Sequence, residues 1–429
     1  MKRSGRERAT PQWRTLITRQ CLAAAWLAVA ATVGTSLPAN AATPSYACTP
    51  AFGSGVDHRV VDLSFAPVDP ARGPGRVRVL VPTDYFSSSA SYPVIYLLHG
   101  AGDDPCAWTT HSDGQPSLES FTASREALGD KVVIVMPDGG GGDGTQANQQ
   151  AGWYSDWFNG GSFGAPRWES FHVDQLIPFI ESHFRVQPGR RHRVVAGLSM
   201  GGFGAVSYAA RHPDMFAAAY SFSGLVDLDG IPYLEPAALA ALQATNNTPQ
   251  DPVWGSFQDQ EVRWRGHNPT DLVGNLHDVA IWMTSGHGVA GGPAPDDRDP
   301  TGLAAEAAVG ASTDVLDAQL TLAGVAHVSL PYAMGGHNWY HWQDDLHRAW
   351  VYPGTGIMAM LSAVNSPPAQ FDYCSMEPAF DVWGWHVQTQ RPATEFVSLK
   401  GVTPAALTIE GSGPVTLTTA PVLPSIMPT

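Results

Sequence analysis

Short apolar runs recur along the chain, and they are of two kinds. "RVVDLSF" (59–65) and "RVRVLVP" (76–82) alternate apolar and polar positions, and a period of two predicts strands with one wet face, paired with each other at a sheet edge. "VIYLL" (94–98), "VVIVM" (132–136), "RVVAG" (193–197), "AAAYSFS" (217–223), "VAIWMT" (279–284) and "HVSLPY" (327–332) are nearly continuous, as in parallel strands buried on both faces. Between them the period lengthens. "RWESFHVDQLIPFIESHF" (167–184) sets Phe171, Leu176, Phe179, Ile180 and Phe184 at helical spacing, and "SMGGFGAVSYAARHP" (199–213) is a second helix ended by Pro213. Residues 301–323 and 340–361 supply two more. Strand–helix alternation behind an antiparallel leading pair predicts a three-layer α/β domain with a mostly parallel sheet.

From about residue 376 the texture changes. "FDVWGWHV", "TEFVSLKG", "ALTIEG" and "VTLTTA" alternate with period two and are separated by glycine or proline, which predicts a small all-β appendage over 376–429. Capping an edge and binding carbohydrate or cell wall are both open to it.

The first 41 residues fit neither pattern. Lys2, Arg3, Arg6, Arg8, Arg14 and Arg19 face one acid, Glu7, before the apolar run "CLAAAWLAVAATVG" and the small-residue site Ala39-Asn40-Ala41. This is the pattern of a secretory signal peptide cleaved after Ala41, on the general route because no paired arginine precedes the apolar run. No later segment is apolar for long enough to span a bilayer, so the expected mature chain is exported, with a catalytic domain over 42–375. The net charge of −15 becomes about −20 without the basic leader, which argues against nucleic acid or anionic headgroups as partners. Cys48, Cys106 and Cys374 remain after Cys21 of the leader. An odd number allows one internal bridge, and Cys48 with Cys374 is the pair expected to staple the two ends of the large domain. No Cys/His spacing suggests zinc, and neither metal nor cofactor is expected.

Candidate chemistry centres on "VVAGLSMGGFGA" (194–205), where glycines crowd Ser199 between an apolar strand and a helix. A tight strand-to-helix turn with close packing accounts for some of them. The strand–turn–helix context also fits a nucleophile elbow, with the helix N-terminus adding free N–H groups and partial positive charge. The best base is His337 in "AMGGHNWYHW", a Gly-rich loop after the last strand. His341 falls inside the next helix, and His287 comes too early for the order serine, acid, histidine. The acid candidates are Asp296, Asp297, Asp299 and Glu306. Backbone N–H groups of Met200, after the nucleophile, and of Ala101 in "YLLHGAGDD", after an early strand, are placed to form an oxyanion hole. "DGGGGDG" (138–144) lacks the ending of a phosphate loop and reads as a flexible rim. The insertion 225–243 is apolar enough to wall an acyl pocket, and a plain surface helix is equally open to it.

The order "YLLHG", "VVIVMPDGG", "WYSDW", "WESFHVDQLIPFI", "GLSMGG", "NPTDL", "GGHNWYHW" over roughly residues 55–362 resembles the esterase family that includes the antigen 85 mycolyltransferases. The resemblance implies an α/β-hydrolase fold and two-step acyl transfer through an acyl-enzyme on Ser199, with water or a sugar or glycerol hydroxyl as acceptor. It places the acid about thirty residues before the histidine, near a helix start, and so favours Glu306 over Asp297. It also implies that Trp339 lines the acceptor side and that Asp156 and Trp157 of "WYSDW" belong to the site rim. The chain departs from the transferases at His99 and in lacking an arginine near the oxyanion loop, which weakens trehalose as acceptor. A non-catalytic cell-wall or carbohydrate-binding protein on the same fold is the alternative function.

Overall fold

The computed structural model describes residues 59–69, 73–111, 113–140, 151–159, 165–229, 253–363, 366–390 and 395–419. The expected leader, most of the "DGGGGDG" rim and most of the 225–243 insertion lie outside the described residues.

The central sheet is assembled from β1 (Val60–Asp69), β2 (Gly73–Leu80), β3 (Val94–Leu98), β4 (Val133–Pro137), β5 (Arg193–Leu198), β6 (Ala218–Phe222), β7 (Ala280–Thr284) and β8 (His327–Ser329). Their order across the sheet is β1-β2-β4-β3-β5-β6-β7-β8. The β1–β2 and β2–β4 pairings are antiparallel, and the rest are parallel. The continuous runs form β3 to β7, whose residues are buried on both faces, apart from half-buried Ala280 at the start of β7. Alternate residues of β3 feed two cores. Val94, Tyr96 and Leu98 pack with Phe203, Tyr208 and Phe216, whereas Ile95 and Leu97 pack with Trp108, Leu346 and Trp350. Helices therefore cover both faces, and the three-layer α/β-hydrolase architecture follows.

The 301–323 prediction is one helix, Pro300–Ala323. Asp299 caps its N-terminus by accepting from the Gly302 N–H, proline opens the first turn, and Gly324 closes it at φ 71°, the start and stop signals of a stable helix. The other two long predictions are divided. Residues 167–184 form helices Trp168–Ser170 and Ile177–His183 around a π turn, Phe171–Leu176, because Pro178 has no N–H to continue an α ladder. Residues 340–361 split into Trp339–Val351 and Ile357–Ser362 at Pro353-Gly354, with Gly354 at φ 79°.

Two three-stranded antiparallel sheets complete the described chain: β9 (Phe371–Ser375), β12 (Val397–Val402) and β13 (Thr408–Glu410) in one, β10 (Ala379–Val382), β11 (Trp385–Thr389) and β14 (Val415–Thr419) in the other. They share a small core of Tyr373, Phe380, Val382, Val387, Val397, Leu399 and Val402. Since β9 pairs with β12, the antiparallel region begins at Phe371 rather than at 376. At its seam with the large domain, Asn275 of the turn Val273–Leu276 exchanges two hydrogen bonds with the Cys374 backbone at 2.9 Å each. The expected Cys48–Cys374 bridge is not formed: Cys374 is a free thiol, pushed up to about 11 by burial. Cys106 is the cysteine that is disulfide-bonded.

Candidate active site

The strand register levels the C-terminal ends of the sheet. Leu98 lies beside Gly197, Leu198 beside Phe222, and Phe222 beside Thr284. Loops after β3, β5, β6 and β7 therefore emerge along one edge, where sites in open α/β sheets are built.

Ser199 occupies the turn between β5 and the helix Met200–Arg211, at φ 51° and ψ −117°, a region that a side chain rarely adopts. Its N–H bonds the Phe222 carbonyl at 2.9 Å, extending the sheet one residue past β5. The surrounding glycines permit this. A Cβ on Gly197 would fall 2.3 Å from the Gly201 carbonyl oxygen, and one on Gly201 would fall 2.6 Å from that of Leu98. No side chain fits either contact, so elbow and helix approach the sheet only as glycine.

His337 places Nε2 at 2.9 Å from Ser199 Oγ and Nδ1 at 2.7 Å from Glu306 Oε2. With Nδ1–H donating to the carboxylate, Nε2 is the acceptor for the serine hydroxyl. Glu306 is 0 % exposed. Its second oxygen, Oε1, accepts from Ser223 Oγ at 2.8 Å, the Gly286 N–H at 2.6 Å and the Tyr332 hydroxyl at 2.5 Å. It is held by four donors from the loops after β6, β7 and β8, as a buried charge requires. Burial and the Glu306 charge push the Tyr332 phenol well above its ordinary value, so it remains a donor.

Asp297 does not reach His337 Nδ1. Its Oδ1 accepts from the Gly336 N–H (2.8 Å), Asn338 Nδ2 (2.9 Å) and His341 Nε2 (2.8 Å), and Oδ2 accepts from the Ala294 N–H (2.7 Å). It thus clasps the residues on either side of His337. Burial opposes its charge, but these donors outweigh burial and hold the carboxyl below its ordinary value. His341 stacks on Tyr332 at 4.6 Å, and His287 pairs with Asp314 at an exposed position.

Met200 opens its helix, where an N–H has no intrahelical acceptor. Ala101 is exposed in the loop after β3, and a Cβ on its neighbour Gly100 would stand 3.5 Å from Ser199 Cβ. The loop is pinned by His99, whose Nδ1–H donates to the Gly100 carbonyl at 2.8 Å while Nε2 accepts from the Gly139 N–H at 2.9 Å. Burial lowers His99 to about 4, which keeps that tautomer neutral. Tyr154 adds a 2.9 Å bond from its hydroxyl to the His99 carbonyl.

The three residues implied to contact substrate are placed otherwise. Asp156 accepts from the Ser170 N–H at 3.0 Å and pairs with Arg167 at 3.0 Å. Trp157 donates its indole N–H to the Gly152 carbonyl at 2.9 Å. Both line a cleft of about 730 Å³ walled also by Tyr373, Glu377 and Phe380, and none of Ser199, Glu306 and His337 borders it. Trp339 is buried, stacked on His111 at 4.5 Å and edge-on to Trp342 at 5.4 Å. Trp342 in turn contacts the His337 ring at 4.8 Å, so Trp339 backs that ring through Trp342. Ser223, Tyr332 and the pinning role of His99 had no signal in the spacing of the sequence. Among the described residues no cluster of side chains is arranged to hold a metal, and no helix is long and apolar enough to cross a membrane.

The model of the Esterase family matches residues 72–351. Esterase Rv1288 of Mycobacterium tuberculosis is 35 % identical over 266 residues, covering 61 % of this chain and 52 % of the relative, so the chain spans about half the length of that protein. Diacylglycerol acyltransferase/mycolyltransferase Ag85A of Mycobacterium leprae is 28 % identical over 289 residues, covering 65 % of this chain and 77 % of the relative. Among solved structures, Mycobacterium tuberculosis MPT51 (FbpC1) superposes with a TM-score of 0.50 at 20 % identity, covering 70 % of this chain and 97 % of that one, a likeness of fold.

Proposed function

The chain belongs to the Esterase family, and from that premise we propose that it is an exported serine hydrolase of acyl esters, with acyl transfer to an alcohol as a second activity. The observation that carries this reading is the relay Ser199–His337–Glu306, at 2.9 and 2.7 Å. His337 Nε2 takes the hydroxyl proton as Ser199 Oγ attacks the ester carbonyl carbon. N–H groups of Ala101 and Met200 hold the oxyanion, and Glu306 stabilises the imidazolium. Collapse expels the alcohol, which takes the proton from His337 Nε2 and leaves an acyl-enzyme. Water then attacks the acyl carbon, passing its proton to Nε2, and the second collapse returns that proton to Ser199 and frees the acid.

Hydrolysis is favoured over transfer because Trp339, implied to line an acceptor, is buried against His111 and Trp342. A sugar or glycerol hydroxyl remains the acceptor class for the second activity, with cell-wall association as its setting. A binding protein would have no need of a buried Glu306 with four hydrogen-bonded partners, which disfavours the non-catalytic alternative. The test is covalent labelling by a fluorophosphonate in wild type and Ser199→Ala, followed by a p-nitrophenyl ester series of increasing acyl length. Labelling confined to the wild type supports the reading. No labelling and no ester cleavage would overturn it.

A further inference from the structure

The loop after β3 carries a carboxyl that the relay does not use. A Cβ on Gly100 would stand 3.2 Å from Asp103 Oδ2 and 3.5 Å from Ser199 Cβ, so the carboxyl and the nucleophile converge on one face of the Gly100 Cα. A turn closed by the Asp103 N–H on the Gly100 carbonyl, at 3.3 Å, folds the side chain back towards Ser199. Among the described residues no arginine, lysine or histidine forms an ion pair with it. The titratable groups around it are Asp104 and His99 on its own loop, Tyr154 from the segment 151–159, and His337 across Ser199. None supplies a positive charge when the site is ready to react: His99 is neutral, Tyr154 donates to the His99 carbonyl, Asp104 accepts from the Cys106 N–H at 2.7 Å, and His337 must be unprotonated to act as base.

We propose that Asp103 takes part in turnover: its carboxyl lies beside the place where the tetrahedral oxyanion forms, permits the reaction while uncharged, and opposes it once ionised. This rests on the function proposed above. A like charge at about 6 Å, at an effective dielectric near 20, slows formation of an oxyanion roughly a hundredfold. Burial, reinforced by the Asp104 charge and opposed by a hydrogen bond from the Gly100 N–H, pushes the half-buried Asp103 up to about 7. The carboxyl is therefore uncharged below neutrality and charged above it, and activity falls on the alkaline side. Asp103 thus adds an alkaline limb to the pH profile.

The experiment measures kcat/KM for a short-chain p-nitrophenyl ester, and the rate of Ser199 phosphonylation by a fluorophosphonate, from pH 5 to 9. Wild type, Asp103→Asn and Asp103→Glu are compared, with Ser199→Ala as the blank. Wild type is expected to lose about tenfold or more between its optimum and the alkaline end. Asp103→Asn should hold a plateau, and Asp103→Glu should keep a limb with a shifted midpoint. A wild-type plateau to pH 9, or an unchanged alkaline fall in Asp103→Asn, overturns the proposal. Should the variants fail to fold, as judged by circular dichroism, the wild-type profile decides alone. A Ser199 unreactive at every pH would overturn the proposed function and this inference together, whereas a reactive Ser199 with no alkaline limb would overturn only the role of Asp103.

Discussion

Glu306 and His337 are separated by 31 residues of chain, yet Oε2 and Nδ1 meet at 2.7 Å. A helix that begins at Pro300 and a loop that ends at Asn338 bring them together, and Asp297 holds the loop from below through Gly336 and Asn338. Orientation and charge are thus divided between two carboxylates.

Glu306→Gln is expected to cost more activity than Asp297→Asn. The glutamine presents an N–H or a neutral oxygen to His337, which removes the stabilised imidazolium and lowers kcat by roughly 10²–10⁴. Asp297→Asn leaves that charge in place and disturbs only the loop, so a loss of about tenfold in kcat is expected, with a lower melting temperature because a buried acceptor of four donors has changed. Steady-state kinetics on both variants checks the order. If Asp297→Asn is the inactive one, the acid has been assigned to the wrong carboxylate.

Ser199→Ala and His337→Ala should each remove ester cleavage, by about 10⁴–10⁶ in kcat, since nucleophile and base act as a unit. The double variant should lose no more than either single one. Additive losses would mean that the two residues act in separate steps.

Glu377→Gln should weaken docking of the C-terminal sheets in a pH-dependent way. Arg211 reaches Glu169 at 2.7 Å and Glu377 at 2.9 Å. Burial raises both carboxyls, but the guanidinium outweighs it and holds both below their ordinary values. Their stabilisation is therefore present above the unfolded carboxylate range, near 4.3, and is lost as pH falls through the depressed native values. The melting difference between wild type and Glu377→Gln should be largest at pH 7 and shrink below about pH 4. A difference that grows in acid would contradict this pairing.

With a short-chain acyl ester as donor, free acid should be the main product. Adding trehalose or diacylglycerol at millimolar concentration should divert a minor share to acylated acceptor, because transfer gains only where an acceptor is held against the acyl carbon. Chromatography of the products measures the partition. Acylated acceptor in excess of free acid would make transfer the primary activity.

What the chain disclosed of this arrangement depended on whether a feature is periodic or local. Runs such as "VIYLL" and "RVVAG" are apolar at every position because both faces of β3 and β5 are covered, and that alone marks them. Ser199 and His337 stand out because glycine crowds a turn and a loop where the backbone needs it. Glu306 does not stand out: it lies inside a long helix, chemically indistinct from the acids before it, and only the family likeness favoured it over Asp297. Local pattern did not separate the roles within "WYSDW", where Tyr154 donates to the His99 carbonyl while Asp156 and Trp157 line the cleft walled by Tyr373 and Glu377. It failed too for Cys374, whose strand joins the antiparallel sheets, so the thiol sits at a seam instead of a bridge.

The disulfide at Cys106 reaches further than fold stability. Asp104 accepts from the Cys106 N–H at 2.7 Å, and Trp108 ties its indole to the Leu98 carbonyl at 3.1 Å, so the bridged cysteine belongs to the same stretch of chain as Gly100 and Asp103. Material made in a reducing cytosol would lack that bridge in the loop beside Ser199. Two preparations of identical sequence would then differ in stability and in turnover, and the redox history of a sample becomes part of its kinetics.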